Sequence, residues 1–114
     1  MELTLVEKRR FPRIVLKSPL QYRVRGMGES RSSLCEDISV GGLGFTDYRF
    51  VPPHTCVMLE LNMLTKAMYP VGKVAWVNHI PHTDRYRFGI EFVEMDRDAK
   101  NFLGDYVDMR MGKF

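Results

Sequence analysis

Hydrophobic and polar residues alternate in steps of two along most of the chain, then in steps of three and four near its end. Leu20, Tyr22 and Val24 alternate with Gln21, Arg23 and Arg25, and Val57, Leu59, Leu61 and Met63 with Met58, Glu60 and Asn62. Tyr86, Phe88, Ile90 and Phe92 alternate in the same way with Arg87, Gly89 and Glu91. A period of two sends one set to a buried face and the other to water, which is the pattern of half-buried strands. Residues 69–78, with Val74 and Trp76, predict a further strand, and Leu43 to Thr46 a short one. Turn chemistry separates these runs: Gly26-Met27-Gly28, Val51-Pro52-Pro53-His54, and His79 through Arg85 with Pro81 and Asp84. After Phe92 the spacing of Ala99, Phe102, Leu103, Tyr106 and Val107 predicts one amphipathic helix over about 96–111. Asp96 is placed to cap it, Asp98 stands in its first turn, and Arg110 and Lys113 lie near its end, signs that suit the helix dipole. Gly104 inside the helix is expected to mark close packing. Several antiparallel strands at short spacing followed by one helix predict an all-β fold, a small closed barrel with the helix laid against it.

One strand end carries candidate chemistry. In Leu34-Cys35-Glu36-Asp37-Ile38-Ser39-Val40-Gly41-Gly42, strict alternation puts Leu34, Glu36 and Ile38 on one face and Cys35, Asp37 and Ser39 on the other. Leu34 and Ile38 are then core residues, and Asp37 and Ser39 a carboxylate and a hydroxyl aimed the same way. Gly41 and Gly42 end the run and permit positive φ or a close approach of backbone to a neighbour. The plain reading of this stretch is a turn with a side-chain cap.

Length and composition narrow the classes. A chain of 114 residues holds one domain with a real core, and 45% hydrophobic residues fit a folded one. The net charge of +3 does not identify a nucleic-acid binder, but Lys8, Arg9, Arg10, Arg13 and Lys17 crowd into one short segment. Cys35 and Cys56 form neither a C-x-x-C pair nor a disulfide framework, which fits a reduced, cytoplasmic setting. No apolar run approaches the ~20 residues of a membrane-spanning helix, and the first residues lack a signal-peptide core. His79, His82 and Asp84 surround Pro81 and read as a surface loop, not a metal site. No nucleophile–base motif and no glycine-rich phosphate loop before a helix is apparent, so catalysis is not expected.

Residues 1–8 read as an N-terminal arm. In Arg9-Arg10-Phe11-Pro12-Arg13, Pro12 biases Phe11 towards an extended conformation. Arg9 and Arg13 fall on one face whether the segment is strand or helix. With this cluster beside Asp37-Ile38-Ser39-Val40-Gly41-Gly42, the chain resembles the PilZ domain family, the bacterial receptor modules for cyclic di-GMP. That family's signature is Arg-x-x-x-Arg in an N-terminal arm, then Asp/Asn-x-Ser-x-x-Gly. All five positions are filled by Arg9, Arg13, Asp37, Ser39 and Gly42. Gly72-Lys73-Val74-Ala75-Trp76 and Phe88-Gly89-Ile90-Glu91-Phe92 are also similar to the family, so the likeness runs from about residue 7 to the end. It implies a six-stranded antiparallel barrel with a C-terminal helix, occupying residues 9–114.

The resemblance implies cyclic di-GMP as the ligand, with no cofactor, bound through Arg9, Arg10, Arg13, Asp37, Ser39, Gly41 and Gly42. The chemistry is coherent. The ligand carries two negative phosphodiesters and two guanines, and a guanidinium forks onto a phosphate or onto guanine O6 and N7. Asp37 supplies the acceptor that guanine's N1–H and N2–H₂ require, Ser39 stands beside it, and Gly42 leaves room for the base. Ordering of the arm on binding would present a new surface to a downstream protein partner. Two other classes compete. A protein adaptor of the same fold needs no nucleotide, but adaptors typically lack the signature. A single-stranded nucleic-acid binder needs several aromatics on an exposed strand face, whereas Tyr22, Tyr86, Phe88 and Phe92 are assigned to the core face and only Tyr48 and Phe50 are loosely placed.

Overall fold

The computed structural model describes residues 11–63 and 65–112. The alternation seen at Leu20–Val24 extends back to Ile14, so the first strand, β1, covers Ile14–Val24. Pro19 within it stands one residue before pairing with β4 (Cys56–Met63) begins at Leu20, a place with an unpaired side, where proline is tolerated in a strand. At Pro19 the strand pairs with β2 (Ser30–Ser39) alone. The remaining strands are β3 (Gly42–Asp47), the short β5 (Lys66–Met68), β6 (Val71–His79) and β7 (Tyr86–Glu94). Their order is β1-β2-β3-β7-β6-β4, and β4 pairs back onto β1. The result is a closed six-stranded antiparallel barrel with one C-terminal helix. The strand β5, which sequence alternation did not reveal at three residues, adds to β4 as a hairpin.

Closure hides the strand edges and turns one set of side chains inward. Phe45 and Phe88 stack with ring centroids 5.0 Å apart, Tyr22 lies 5.0 Å from Phe45, and Leu20, Ile38, Leu43 and Leu61 fill the space around them. Tyr86 and Phe92 pack against this core while partly exposed. The helix α1 covers Arg97–Arg110, within one residue of its expected ends, and the Asp96 carboxylate accepts the Ala99 N–H at 2.8 Å as its N-cap. Ala99, Leu103, Tyr106 and Val107 are its buried face, and Arg110 Nη2 donates to the Val15 carbonyl at 2.8 Å, tying the helix end to β1. Gly104 does not mark close packing: nothing stands within 4 Å of where its Cβ would be.

Strict alternation fails at β2, and the failure matters. Cys35 pairs with Phe45 and Asp37 with Gly44, so Glu36 is an extra residue, a β-bulge. Cys35 is therefore buried in the core instead of sharing an outer face with Asp37, and Leu34, expected in the core, is 46% exposed. A second bulge lies in β6. Val74 pairs with Ile90 and Trp76 with Gly89, leaving Ala75 unpaired. Val74 is buried, whereas Trp76, two residues on, is 40% exposed.

Candidate functional site

The two bulges aim two side chains at one patch of the outer barrel wall. Asp37 pairs with Gly44, Gly44 with Gly89, and Gly89 with Trp76, so a single row crosses β2, β3, β7 and β6. With strands about 4.8 Å apart, Asp37 and Trp76 stand roughly 14 Å apart at the backbone. Between them are two residues without side chains. The Asp37 carboxylate lies over Gly44, where an added Cβ would come within 2.9 Å of Oδ1, and the Trp76 indole lies over Gly89 so closely that a Cβ there would overlap it. The row is a floor of glycine backbone with a carboxylate at one end and an aromatic at the other. Above it opens a groove of about 640 Å³, within the ~300–1,000 Å³ usual for small-molecule sites.

Charge reaches the groove from two directions. Arg13, just before β1, donates from Nε and Nη2 to Asp37 Oδ1 at 3.1 and 2.8 Å. Arg87 of β7 reaches across β3 and donates from Nη2 to Asp37 Oδ2 at 3.0 Å, while its Nη1 lies 3.1 Å from Glu36 Oε1. Thr46 Oγ1 donates to the other Glu36 oxygen at 2.8 Å. Among the described residues, the charged ones lining the groove are Arg13, Arg87, Asp37 and Glu91, two of each sign. Phe11 closes one end, its ring over Gly41.

The expected site residues are placed as follows. Arg13, Asp37, Ser39, Gly41 and Gly42 all line this groove. Arg9 and Arg10 lie outside the described residues. Ser39 is buried, and its hydroxyl accepts the Gly41 N–H at 3.1 Å, capping the two-residue Val40-Gly41 hairpin. The side-chain cap and the groove-lining position are the same residue. Neither Gly41 nor Gly42 takes a left-handed φ. Gly42 also carries a packing constraint: a Cβ there would overlap the Ile90 carbonyl oxygen, so glycine lets β3 lie against β7. Burial, followed by the charge of Asp37, pushes the Cys35 thiol up to about 12, which leaves it a protonated core residue. His79 and His82 belong to the β6–β7 hairpin, where His79 Nε2 contacts the Thr83 carbonyl at 2.6 Å. No cluster of three or more potential metal ligands occurs among the described residues.

Sequence reasoning missed Arg87, Trp76, Gly44 and Gly89. The two glycines stand in the interior of strands, a pattern that signals close approach. Arg87 and Trp76 gave no such signal, because only the barrel places β7 and β6 on the far side of β3 from β2.

Comparison with known proteins agrees with this architecture. Residues 7–109 match the PilZ domain, and the chain belongs to that family. An uncharacterized protein of Aquifex aeolicus (strain VF5) is 32% identical over 110 residues, covering 96% of this chain and 52% of its own length. The inhibitor of motility MotI/DgrA of Bacillus subtilis superposes with a TM-score of 0.77 at 17% identity, covering 90% of this chain and 51% of its own. YcgR of Escherichia coli, in its complex with c-di-GMP, gives 0.76 at 14% identity over 91% of this chain and 46% of its own. This chain thus spans about half the length of these relatives. Among the described residues no helix is long and apolar enough to cross a membrane.

Proposed function

We propose that this domain is a cytoplasmic receptor for cyclic di-GMP that binds the dinucleotide in the outer-wall groove and does no chemistry on it. One observation carries the reading: Arg13 and Asp37, 24 residues apart, meet in a groove that Ser39, Gly41 and Gly42 also line. Family membership and the likeness to a c-di-GMP complex support it.

In this reading the glycine floor of Gly44 and Gly89 lets a flat base lie against the wall, with the Trp76 indole as a stacking surface worth about 1–3 kcal/mol. Asp37 accepts the guanine N1–H and N2–H₂, and Ser39 holds the hairpin beneath. The charges of the described residues lining the groove sum to zero, so a dianion calls for further cations. Arg9 and Arg10 are the sequence neighbours that provide them, together with Arg13 once it turns from Asp37 to a phosphate. Drawing residues 1–8 and the arginines onto the barrel changes the surface shown to a downstream protein, which is the output we assign to it.

Calorimetric titration with cyclic di-GMP, with GTP and a short single-stranded oligonucleotide as controls, tests the proposal. Saturable binding of cyclic di-GMP alone is expected. A folded domain that leaves all three unbound would shift the assignment to a protein adaptor, and preference for the oligonucleotide would shift it to nucleic-acid binding.

A further inference from the structure

We infer that Arg87 is a positioning residue that sets guanine selectivity by holding the Asp37 carboxylate while Arg13 leaves it. The inference rests on the receptor reading above and deepens it. It begins with the acceptor capacity of a carboxylate, two oxygens with about four lone-pair sites. Arg13 takes two sites on Oδ1 and Arg87 takes one on Oδ2. Guanine offers N1–H and N2–H₂ as parallel donors, one for each oxygen. With Arg13 in place only a site on Oδ2 is open, so a two-bond contact cannot form. When Arg13 departs, Oδ1 is free and Oδ2 still has a site beside Arg87. Arg13 is the exchangeable partner and Arg87 the permanent one.

The surroundings of Arg87 fit a fixed role. Consecutive residues of a regular strand point to opposite faces, yet Arg87 forks onto Glu36 and Asp37 together, Nη1 to one and Nη2 to the other. The bulge at Glu36 makes this possible by turning both carboxylates to the outer face. Glu36 is itself held by the Thr46 hydroxyl. Arg87 is thus anchored at a second carboxylate that the ligand need not touch. Among the described residues Arg13 has no such second carboxylate: its side-chain hydrogen bonds there both end on Asp37 Oδ1. Charge points the same way. Once Arg13 turns to a phosphate, Arg87 is the cation that keeps Asp37 from facing a dianion beside Glu36 unpaired.

The test compares cyclic di-GMP with its inosine counterpart, cyclic di-IMP, which lacks the N2 amine, in the full chain by calorimetry. The wild-type protein is expected to prefer cyclic di-GMP by about tenfold or more, the effect of one charge-assisted hydrogen bond. Asp37→Asn should abolish the preference. Arg87→Ala should bind cyclic di-GMP at least tenfold more weakly and reduce the preference to about threefold or less. Arg87→Lys keeps the charge but cannot fork, and should also lose preference. Glu36→Gln, which weakens the anchor and leaves the ligand contacts alone, should shift the ratio in the same direction by less. If Arg87→Ala and Arg87→Lys weaken both ligands equally, with the ratio intact, Arg87 is only a charge and the positioning role is overturned. Wild-type selectivity that survives in all Arg87 and Glu36 variants overturns it as well, while the receptor reading stands. A folded wild-type domain that binds neither ligand overturns the receptor reading and this inference with it.

Discussion

Two aspartates, ten residues apart, are each clamped by arginine in opposite surroundings. Asp47, at the end of β3, faces the barrel interior and is 6% exposed. It accepts Arg31 Nε and Nη2 at 3.0 and 3.1 Å, the Tyr48 N–H at 2.7 Å, and the Tyr22 hydroxyl. Those four bonds fill its lone-pair sites. Asp37, on the outer face of β2, is 21% exposed and accepts three bonds from two arginines. Its neighbours are bare glycines and an open groove. The same residue pair is a staple where the acceptor is saturated and enclosed, and a candidate ligand contact where one site is open and one partner can leave.

The sharpest way to break that contrast is to delete each carboxylate. Asp47→Ala leaves Arg31 and the Tyr22 hydroxyl without their partner and should lower stability by about 2–4 kcal/mol, read from urea unfolding. Asp37→Ala, at a partly solvated pair, should change stability by less than about 1 kcal/mol yet weaken cyclic di-GMP at least tenfold. Equal destabilisation by both would erase the distinction. Next in size, Arg9→Ala and Arg13→Ala should each cost at least tenfold in affinity, measured by calorimetry, with the unfolding midpoint nearly unmoved.

Smaller but more pointed is Gly44→Ala. Its Cβ would press on the Asp37 carboxylate, so a several-fold loss of affinity is expected, whereas Gly42→Ala collides with the β7 backbone and should act on stability, by about 1–3 kcal/mol. If Gly42→Ala spares stability and Gly44→Ala spares binding, the glycines have been assigned the wrong way round.

At neutral pH the titrations change little, and their effect shows only at the extremes of pH. Burial alone would raise the Asp47 carboxyl, but hydrogen bonds from Arg31, Tyr22 and the Tyr48 N–H outweigh it and hold the group below its ordinary 3.8. Stability that depends on its ionised form is complete above that value and is lost as pH falls below it. Burial acts the other way on acids that stay protonated. It raises Tyr22, helped by Asp47, and pushes Cys35 up to about 12. The unfolded chain releases the Cys35 proton near 9.0 and the folded protein near about 12, so stability should decline as pH rises between them. Cys35→Ala should flatten that decline in urea midpoints taken across the range, and an unchanged slope would place the loss elsewhere.

The strands and the helix were legible because periodicity is a local property. Leu20, Tyr22, Phe88 and Ile90 face inward as their spacing predicts, and Asp96 caps the helix. Arg13, Asp37 and Ser39 were legible because short motifs survive as letters. Leu34 and Cys35 depart from the alternation rule, which holds only in a regular strand, and Gly104 departs from the packing rule because its helix face is open. The alternation at Leu34 and Cys35 is broken by an extra residue that looks like any other, and the glycine in the helix faces open space.

What the sequence determined by itself is therefore the material: which runs pair into sheets, where the chain turns, which end is helical, and the signature residues that mark the family. The tertiary structure alone decided where the candidate site lies and what completes it. Closing the barrel set β7 beside β3 and β6 beyond it, a placement that depends on pairings between residues up to about fifty positions apart. Bulges at Glu36 and Ala75 then turned Asp37 and Trp76 outward over Gly44 and Gly89, and brought Arg87 within reach of two carboxylates. A bulge is fixed by the register of both neighbours at once, so no local pattern in one strand encodes it.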